Sequence, residues 1–340
     1  MGAKFNRFLR LAVAVTIGAA ALSTGLPARA NDMDPVLARM WQVRMDPVRG
    51  NQLVTRDDLF DGLALDVAQA LAPNILAPAE TLGWSGFFMG LEATLTVIDP
   101  DALWWRCGIE GNRGSDGGNG ACDNWQGHTD GVLFVPALHV RKGLPYSFEL
   151  GLQIQYVANS EMVGIGGEIR WAPFEGFRSG WMGYLPDIGL RFTGTYLMGS
   201  NELALGLLGG DISISYPFTI SGQWTLTPYL GYQFFIIGAD HEQVLNSAYV
   251  DNPQGFEQFC LNNGITPDNC VHYLDFHSGG SRNFGQNLAS LKFHRLFLGT
   301  RILWERLAVT PQVAVTLPWE SGSSEDRYNF QFSISVGSDF

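Results

Sequence analysis

The chain has 340 residues, including 41 glycines, 22 phenylalanines, 10 tryptophans and 10 tyrosines, and only 16% of its residues are charged. The formal net charge is −12, which argues against nucleic acid as a partner, because phosphate binding needs a basic surface. No uninterrupted apolar run reaches the roughly 20 residues that a membrane-spanning helix needs, so helical spans are not expected.

Residues 1–30 have the three parts of an export signal. Basic residues come first, an apolar run follows from Leu11 to about Leu26, and the motif Ala28-Arg29-Ala30 closes the segment. We predict a signal peptide that is cleaved after Ala30, with an uncleaved anchor as the alternative. Cleavage would remove the four positive charges of Lys4, Arg7, Arg10 and Arg29 and change the formal charge from −12 to −16.

Residues 31–83 differ from the rest of the chain, because their apolar residues recur at helical spacing until Pro73. These apolar residues are Leu59, Leu63, Val67 and Leu71. Thr55 with Asp58 resembles an N-terminal capping pair, so we predict one short amphipathic helix. The segment could be a periplasmic extension or assembly aid, which we favour, or a plug in the mouth of the barrel predicted next.

Residues 84–340 show strict alternation of apolar and polar residues, repeated between Gly, Pro, Asn or Asp. In Gly86–Ile98, for example, Leu91 and Leu95 share one face, and Glu92 and Thr94 share the other. We count ten strands, with eight or twelve as alternatives. The segments are 86–98, 131–141, 148–156, 162–172, 188–197, 203–216, 224–236, 290–303, 307–317 and about 330–340.

Three prolines, Pro136, Pro228 and Pro311, lie inside predicted strands. A closed barrel has no free edge, and proline lacks the N–H that the neighbouring strand expects. We therefore expect a β-bulge at each of them.

The connections and the aromatic residues favour a membrane barrel over a soluble sandwich, which would also alternate. If the N-terminus starts in the periplasm, the two longest connections, 99–130 and 239–288, fall on the outer side. Aromatic residues are predicted at both strand ends, as at membrane interfaces. The inner set is Phe87, Trp171, Tyr216, Trp224, Trp304 and Phe340, and the outer set is Tyr156, Tyr196 and Phe234.

The last strand carries apolar residues at every second position and ends at Phe340. This pattern resembles the C-terminal assembly signature of Gram-negative outer-membrane β-barrel proteins. The resemblance implies an all-β fold, a closed antiparallel transmembrane barrel over residues 84–340, located in the cell outer membrane. It also implies two partners: outer-membrane lipid, and the barrel-assembly machinery through the strand that ends at Phe340.

Four cysteines form two close pairs, Cys107 with Cys122 and Cys260 with Cys270, inside the two long connections. An exported protein folds in an oxidising compartment, so we predict two local disulfides. Neither pair has the spacing of a zinc knuckle, and no metal or cofactor is expected.

If the polar faces of the strands point inward, the lumen contains both acidic and basic side chains. The acidic residues are Glu92, Glu149, Glu168 and Asp211, and the basic ones are Arg141, Arg170, Arg191, Arg295 and Arg301. A barrel of about ten strands is mostly filled by its side chains, whereas porin channels use about 16 or more strands. We expect ion pairs that hold the barrel rigid, with a selective conduit as the alternative.

Three functions remain open on these grounds. We favour a non-enzymatic barrel that serves the envelope structurally or as a narrow passive conduit. A hydrolase at the outer rim is an alternative, because Asp240, His241 and Glu242 could act as acid and base there. That placement is similar to that of omptin proteases, but the sequence contains no omptin motif. A receptor or adhesin that acts through loops 99–130 and 239–288 is the third.

Overall fold

A computed structural model describes residues 33–46, 50–110, 129–175, 185–200, 202–220, 223–241, 244–245, 253–266, 269–275, 291–317 and 328–340. The predicted signal peptide, Cys122 and Glu242 lie outside these ranges. Within them, no helix combines the length and the hydropathy needed to cross a membrane.

Strands dominate the described residues. In chain order the strands and α-helices are β1 Trp41–Asp46, β2 Gly50–Thr55, α1 Asp57–Leu71, β3 Phe87–Val97, α2 Leu103–Cys107, β4 Val132–Leu144, β5 Phe148–Tyr156, β6 Val163–Trp171, β7 Asp187–Met198, β8 Leu203–Ser215, β9 Phe218–Ile220, β10 Trp224–His241, β11 Val244–Leu245, α3 Pro253–Asn262, β12 Tyr273–Leu274, β13 Leu291–Trp304, β14 Leu307–Leu317 and β15 Asn329–Asp339. Short 3-10 turns occur at Leu37–Arg39 and Pro145–Ser147.

Ten of these strands form one closed sheet: β3 to β8, β10, and β13 to β15. Each pairs antiparallel with the next in this series, and β15 pairs with β3, with Ile334 opposite Ala93. A sheet whose first and last strands pair has no free edge. The prediction of a closed ten-stranded antiparallel barrel is confirmed.

The strand register is the same before and after each of the three prolines, so the expected bulges are absent. Pairing of β4 with β5 begins at Ala137, directly after Pro136, while β4 pairs with β3 across the proline. Pairing of β10 with β8 likewise begins at Tyr229, directly after Pro228. Around Pro311 the pairing of β14 with β13 is interrupted for two positions. Each proline therefore lies where one neighbouring strand makes no ladder pair, and its missing N–H interrupts no ladder bond.

The outer face of the barrel is apolar and exposed. Phe192 and Leu298, for example, are 71% and 61% exposed. At one end of the barrel, aromatic rings of neighbouring strands pair. These pairs are Phe87 with Phe340, Phe148 with Trp171, and Trp224 with Trp304, at centroid distances of 6.3, 5.9 and 5.5 Å. An exposed apolar band edged by aromatic residues is the surface that a bilayer covers.

The two ends of the barrel differ in their connections. The end with the paired aromatic rings, here called the turn end, has short joins such as the two residues between β13 and β14. The opposite end, here called the loop end, carries the long connections from β3 to β4 and from β10 to β13. The hairpin β1–β2 lies at the loop end, where Trp41 contacts Phe259 of α3 at 6.0 Å between ring centroids.

Helix α1 begins with a different capping arrangement from the predicted one. Thr55 Oγ1 donates to Asp57 Oδ1 at 2.8 Å, and Asp58 pairs with Arg56 at 2.9 Å, so Thr55 and Asp58 do not cap each other. The hydrogen bond from Arg56 lowers the pKa of the Asp58 carboxyl. Two acidic residues in the first turn suit the positive end of the helix dipole.

One disulfide is fully described. Cys260 on α3 is bonded to Cys270, with the two Cα atoms 6.0 Å apart. Cys107, at the end of α2, is also disulfide-bonded, and its predicted partner Cys122 lies outside the described ranges. The two long connections are thus each braced at the loop end.

Candidate functional site in the barrel lumen

The lumen wall changes character along the barrel. Near the loop end its inward-facing residues are apolar, and they form one cluster with the buried face of α1. The wall contributes Leu133, Val135, Leu197, Leu205, Leu207, Phe235, Ile237 and Phe293, and α1 contributes Leu59, Phe60, Leu63, Val67 and Leu71. Burial of these apolar surfaces holds α1 in the mouth of the barrel.

Asp66 joins α1 to α2 at the loop end. Its Oδ2 accepts hydrogen bonds from the indole N–H of Trp104 at 2.9 Å and of Trp105 at 2.7 Å. Gly62, one helical turn earlier, leaves room for the Trp104 ring, since a Cβ there would lie 2.7 Å from ring atoms. The helix is therefore fixed by polar as well as apolar contacts.

We expect Asp66→Ala to lower the free energy of unfolding by about 1–3 kcal/mol, because two indole donors lose a charged acceptor. Asp66→Asn keeps an acceptor oxygen and should lose less. Urea unfolding in detergent micelles, followed by tryptophan fluorescence, measures the change. Glu257→Ala, at an exposed position of α3, is the control, and an equal loss in that variant would contradict the role assigned to Asp66.

From the last turn of α1 the chain continues through the lumen to the turn end. We call residues 69–82 the plug segment. Its main chain exchanges hydrogen bonds with wall side chains along its whole length. The bonds are Arg295 Nη2 to Gln69 O at 2.8 Å, Arg191 Nη2 to Pro73 O at 2.9 Å, Arg170 Nη1 to Pro78 O at 3.1 Å, Ala79 N to Ser215 Oγ at 3.0 Å and Leu82 N to Glu149 Oε2 at 3.0 Å. Residues 57–82 thus lie inside the barrel rather than extending away from it.

A small apolar cluster adds to these polar contacts. Ile75 and Ala77 of the plug segment pack with Tyr229, Phe297 and Ala314 of the wall, and all five are buried. The segment is thereby held by polar groups of the wall and by apolar groups of β10, β13 and β14.

Six polar wall residues lie in one continuous row. Each is the direct register partner of the next, in the order Arg295, Gln233, Asp211, Arg191, Arg170 and Glu149. We call them the lumen row. Barrel strands tilt by about 35–45°, so a row across the strands runs obliquely through the lumen. The plug segment follows this row in order, from Gln69 beside Arg295 to Leu82 beside Glu149.

Buried ion pairs extend from the centre of the row. Arg191 contacts Asp211 at 2.6 Å and Glu168 at 2.7 Å. Glu168 lies 3.3 Å from Nε2 of His139, whose Nδ1 is 2.8 Å from Glu92. All five side chains are nearly inaccessible to solvent, so each charge depends on its neighbours for compensation.

Two further groups lie toward the turn end. Arg141 contacts Glu149 at 3.1 Å, and Arg170 reaches the same carboxylate oxygen at 3.8 Å. Arg301 pairs with Asp339 at the end of β15. All nine charged residues assigned to the lumen from the sequence are buried inside the barrel. Eight of them fall into these three groups, and the ninth, Arg295, contacts neutral oxygens of the plug segment.

Sequence reasoning missed His139, which bridges Glu92 and Glu168. It lies two residues before Arg141 on β4, so the alternation that points Arg141 inward points His139 inward as well. It also missed the plug-segment groups that complete the site, because carbonyl oxygens of a non-strand segment carry no sequence signal.

Two of the three residues proposed for an outer-rim hydrolase, Asp240 and His241, occupy the loop end of β10. Asp240 Oδ1 accepts the main-chain N–H of His241 at 2.9 Å. The His241 ring packs edge-on against Phe60 of α1, and its Nε2 lies 3.6 Å from Asp275. Within the described ranges, no three His, Cys, Asp or Glu side chains are grouped so as to hold a metal ion.

A small acidic pocket lies beside the loop end, with a volume of about 260 Å³. Its carboxylates are Asp34, Glu110, Glu161 and Glu202. Burial raises the pKa of the Glu202 carboxyl, although main-chain N–H groups of Leu37 and Ala38 and the nearby Arg39 counteract that effect. Burial likewise raises the pKa of the Asp34 carboxyl, and the negative charges of Glu161 and Glu110 raise it further.

The closed sheet, the apolar outer face with its aromatic belt and the polar lumen define a transmembrane β-barrel of the outer-membrane class. Neither the comparison with protein-family models nor the search among curated proteins gives a match.

Solved structures with a similar fold include Ail, the attachment invasion locus protein of Yersinia pestis, with 7% identity over 76% of this chain and 99% of that chain, at a TM-score of 0.25. Neisserial surface protein A has 9% identity over 75% and 97% of the two chains, at a TM-score of 0.27. The KdgM porin in complex with disordered oligogalacturonate has 5% identity over 75% and 99%, at a TM-score of 0.29. At these identities the likeness concerns the fold alone, and no site residue is carried over.

Proposed function

We propose that the protein is an outer-membrane conduit that its own N-terminal segment holds closed. The observation that carries this proposal is the course of residues 72–82, which cross the lumen as a non-helical chain. A small barrel filled by its own wall side chains leaves no room for a further chain. The space that these residues take would become a passage between the loop end and the turn end when the segment moves.

The polar atoms of the lining support the same reading. One side-chain nitrogen or oxygen atom in each of Arg170, Thr195, Gln233, Arg295 and Gln331 is buried and has no hydrogen-bond partner among the described residues. Such groups are costly in a dry core, and water satisfies them in a hydrated one. A lining of this composition suits an aqueous path better than a permanently packed interior.

Gly189 offers a way to displace the plug segment in the full chain. It faces inward on β7, and a Cβ there would lie 2.7 Å from the Ala79 carbonyl oxygen and 3.0 Å from its Cα. Gly206, on the outer face of β8, would place its Cβ 3.9 Å from Tyr196, an ordinary contact. Leucine at position 189 therefore pushes against the plug segment, and leucine at position 206 does not.

The test is single-channel conductance of the refolded full chain in a planar bilayer. We expect the wild type and Gly206→Leu to stay closed almost throughout, and Gly189→Leu to open frequently. Heat-modifiable migration in SDS gels shows whether each barrel has folded. A folded Gly189→Leu barrel that stays closed would favour a purely structural role and overturn the proposal.

A further inference from the structure

Two arginines of the lumen row face pairs of oxygen atoms on the plug segment. Arg191 donates from Nη2 to Pro73 O at 2.9 Å and from Nη1 to Asn74 O at 3.0 Å. Arg295 donates from Nη2 to Gln69 O at 2.8 Å and from Nη1 to Asn74 Oδ1 at 3.3 Å. Each guanidinium thus meets two oxygens with its two terminal nitrogens, which is how arginine binds a carboxylate.

The lumen row contains three arginines and two carboxylates, so it has an excess of positive charge that a carboxylate ligand could compensate. Arg191 is compensated by Glu168 and Asp211. Arg295, by contrast, is fully buried, and within the described ranges its hydrogen-bond partners are the neutral oxygens of Gln69 and Asn74. Within the same ranges, the ion pair of Arg170 is a 3.8 Å contact to Glu149 Oε1, an oxygen that also contacts Arg141 at 3.1 Å. Without the plug segment, Arg295 and Arg170 would lose their neutral acceptors, and a buried cation without a partner is costly.

We propose that the lumen row is a binding site for carboxylate-bearing solutes, and that carbonyl oxygens of the plug segment occupy the positions of the solute's oxygens in the closed state. Asn74 supplies one oxygen to the pair that Arg191 binds and one to the pair that Arg295 binds, so the two oxygen pairs lie side by side. The site therefore takes a solute with at least two carboxylates. This inference rests on the proposed function, since the solute reaches the row only after the segment has moved.

Citrate is the probe, and isothermal titration calorimetry of the refolded full chain in detergent measures its binding. Because citrate and the plug segment compete for the same donors, we expect Gly189→Leu to bind citrate at least tenfold more tightly than the wild type. In the Gly189→Leu background, Arg295→Gln should weaken binding at least tenfold. Arg170→Gln is the second variant if that barrel fails to fold. Lys292→Gln removes the same charge from the outer face of β13 and should change nothing.

The outcomes separate the two proposals. Conductance by Gly189→Leu without citrate binding overturns the binding site and leaves the conduit standing. Citrate binding without conductance overturns the conduit and supports the site. Binding that neither arginine substitution weakens places citrate elsewhere and overturns the assignment to the lumen row.

Discussion

Arg191→Met should lower the free energy of unfolding of the barrel by about 3–5 kcal/mol, the range for removing one partner of a buried ion pair. The loss arises because Glu168 and Asp211, which are only 7% and 9% exposed, stay buried without their shared cation. Pro73 O and Asn74 O of the plug segment also lose their hydrogen bonds from Arg191, although Pro73 O keeps the one from Gln233 Nε2. Equilibrium unfolding in urea from lipid vesicles, followed by tryptophan fluorescence, measures the change.

Two controls identify the cause of that loss. The triple variant Arg191→Met with Glu168→Gln and Asp211→Asn removes all three charges together, so it should recover a large part of the lost stability. Arg306→Met lies in the exposed turn between β13 and β14 and should change stability by less than about 0.5 kcal/mol. If the triple variant is as unstable as Arg191→Met, lost packing or lost plug contacts, and not uncompensated charge, explain the effect.

The second large effect concerns the side of the membrane on which the N-terminal part lies. Met45 on β1 and Trp84 before β3 are each 81% exposed, but they lie at the loop end and at the turn end respectively. A membrane-impermeant maleimide added to intact cells should label the Met45→Cys variant and leave the Trp84→Cys variant unlabelled. The reason is that long connections of outer-membrane barrels face outward and short turns face the periplasm.

The same pair supplies its own control. The described cysteines are all disulfide-bonded, so the introduced thiol is the reactive group in the described part of the chain. Permeabilising the outer membrane should make the Trp84→Cys variant react as fully as the Met45→Cys variant. The reverse pattern in intact cells would place the loop end in the periplasm and contradict the orientation predicted from the connection lengths.

The barrel itself could be predicted from the sequence, because each strand has one face toward lipid and one toward the lumen. The period-two pattern located all ten barrel strands, with ends within a few residues of those observed. Strand β10 is the largest departure. It continues from the predicted end at residue 236 to His241. Its last residues pair with Leu203–Leu207 of β8. In this part of the wall the inward-facing residues are apolar, so the alternation of apolar and polar residues that marks a strand is lost.

The filling of the barrel could not be predicted in the same way. In Leu203–Leu208 the inward residues are leucines, so the lumen face loses the polar character that marks it elsewhere. That apolar wall is the reason why α1 packs inside the mouth of the barrel. Helix α1 and the wall residues that it contacts are far apart in sequence, so the contact could not be predicted. The lumen row was equally hidden, because its residues belong to six different strands, and their alignment depends on a register that single strands do not encode.

The course of the plug segment also constrains how the barrel forms. The seam between β15 and β3 joins strands more than 200 residues apart and completes the ring around residues 69–82. The hairpin β1–β2 and most of helix α1 precede that segment and lie at or within the loop end. They must therefore reach that end before the seam closes or cross the lumen unfolded afterwards. If the ring closes first, the N-terminal part has to pass through the lumen as an unfolded chain before the plug segment can occupy it. Arrival of the N-terminal part at the loop end before closure avoids that step.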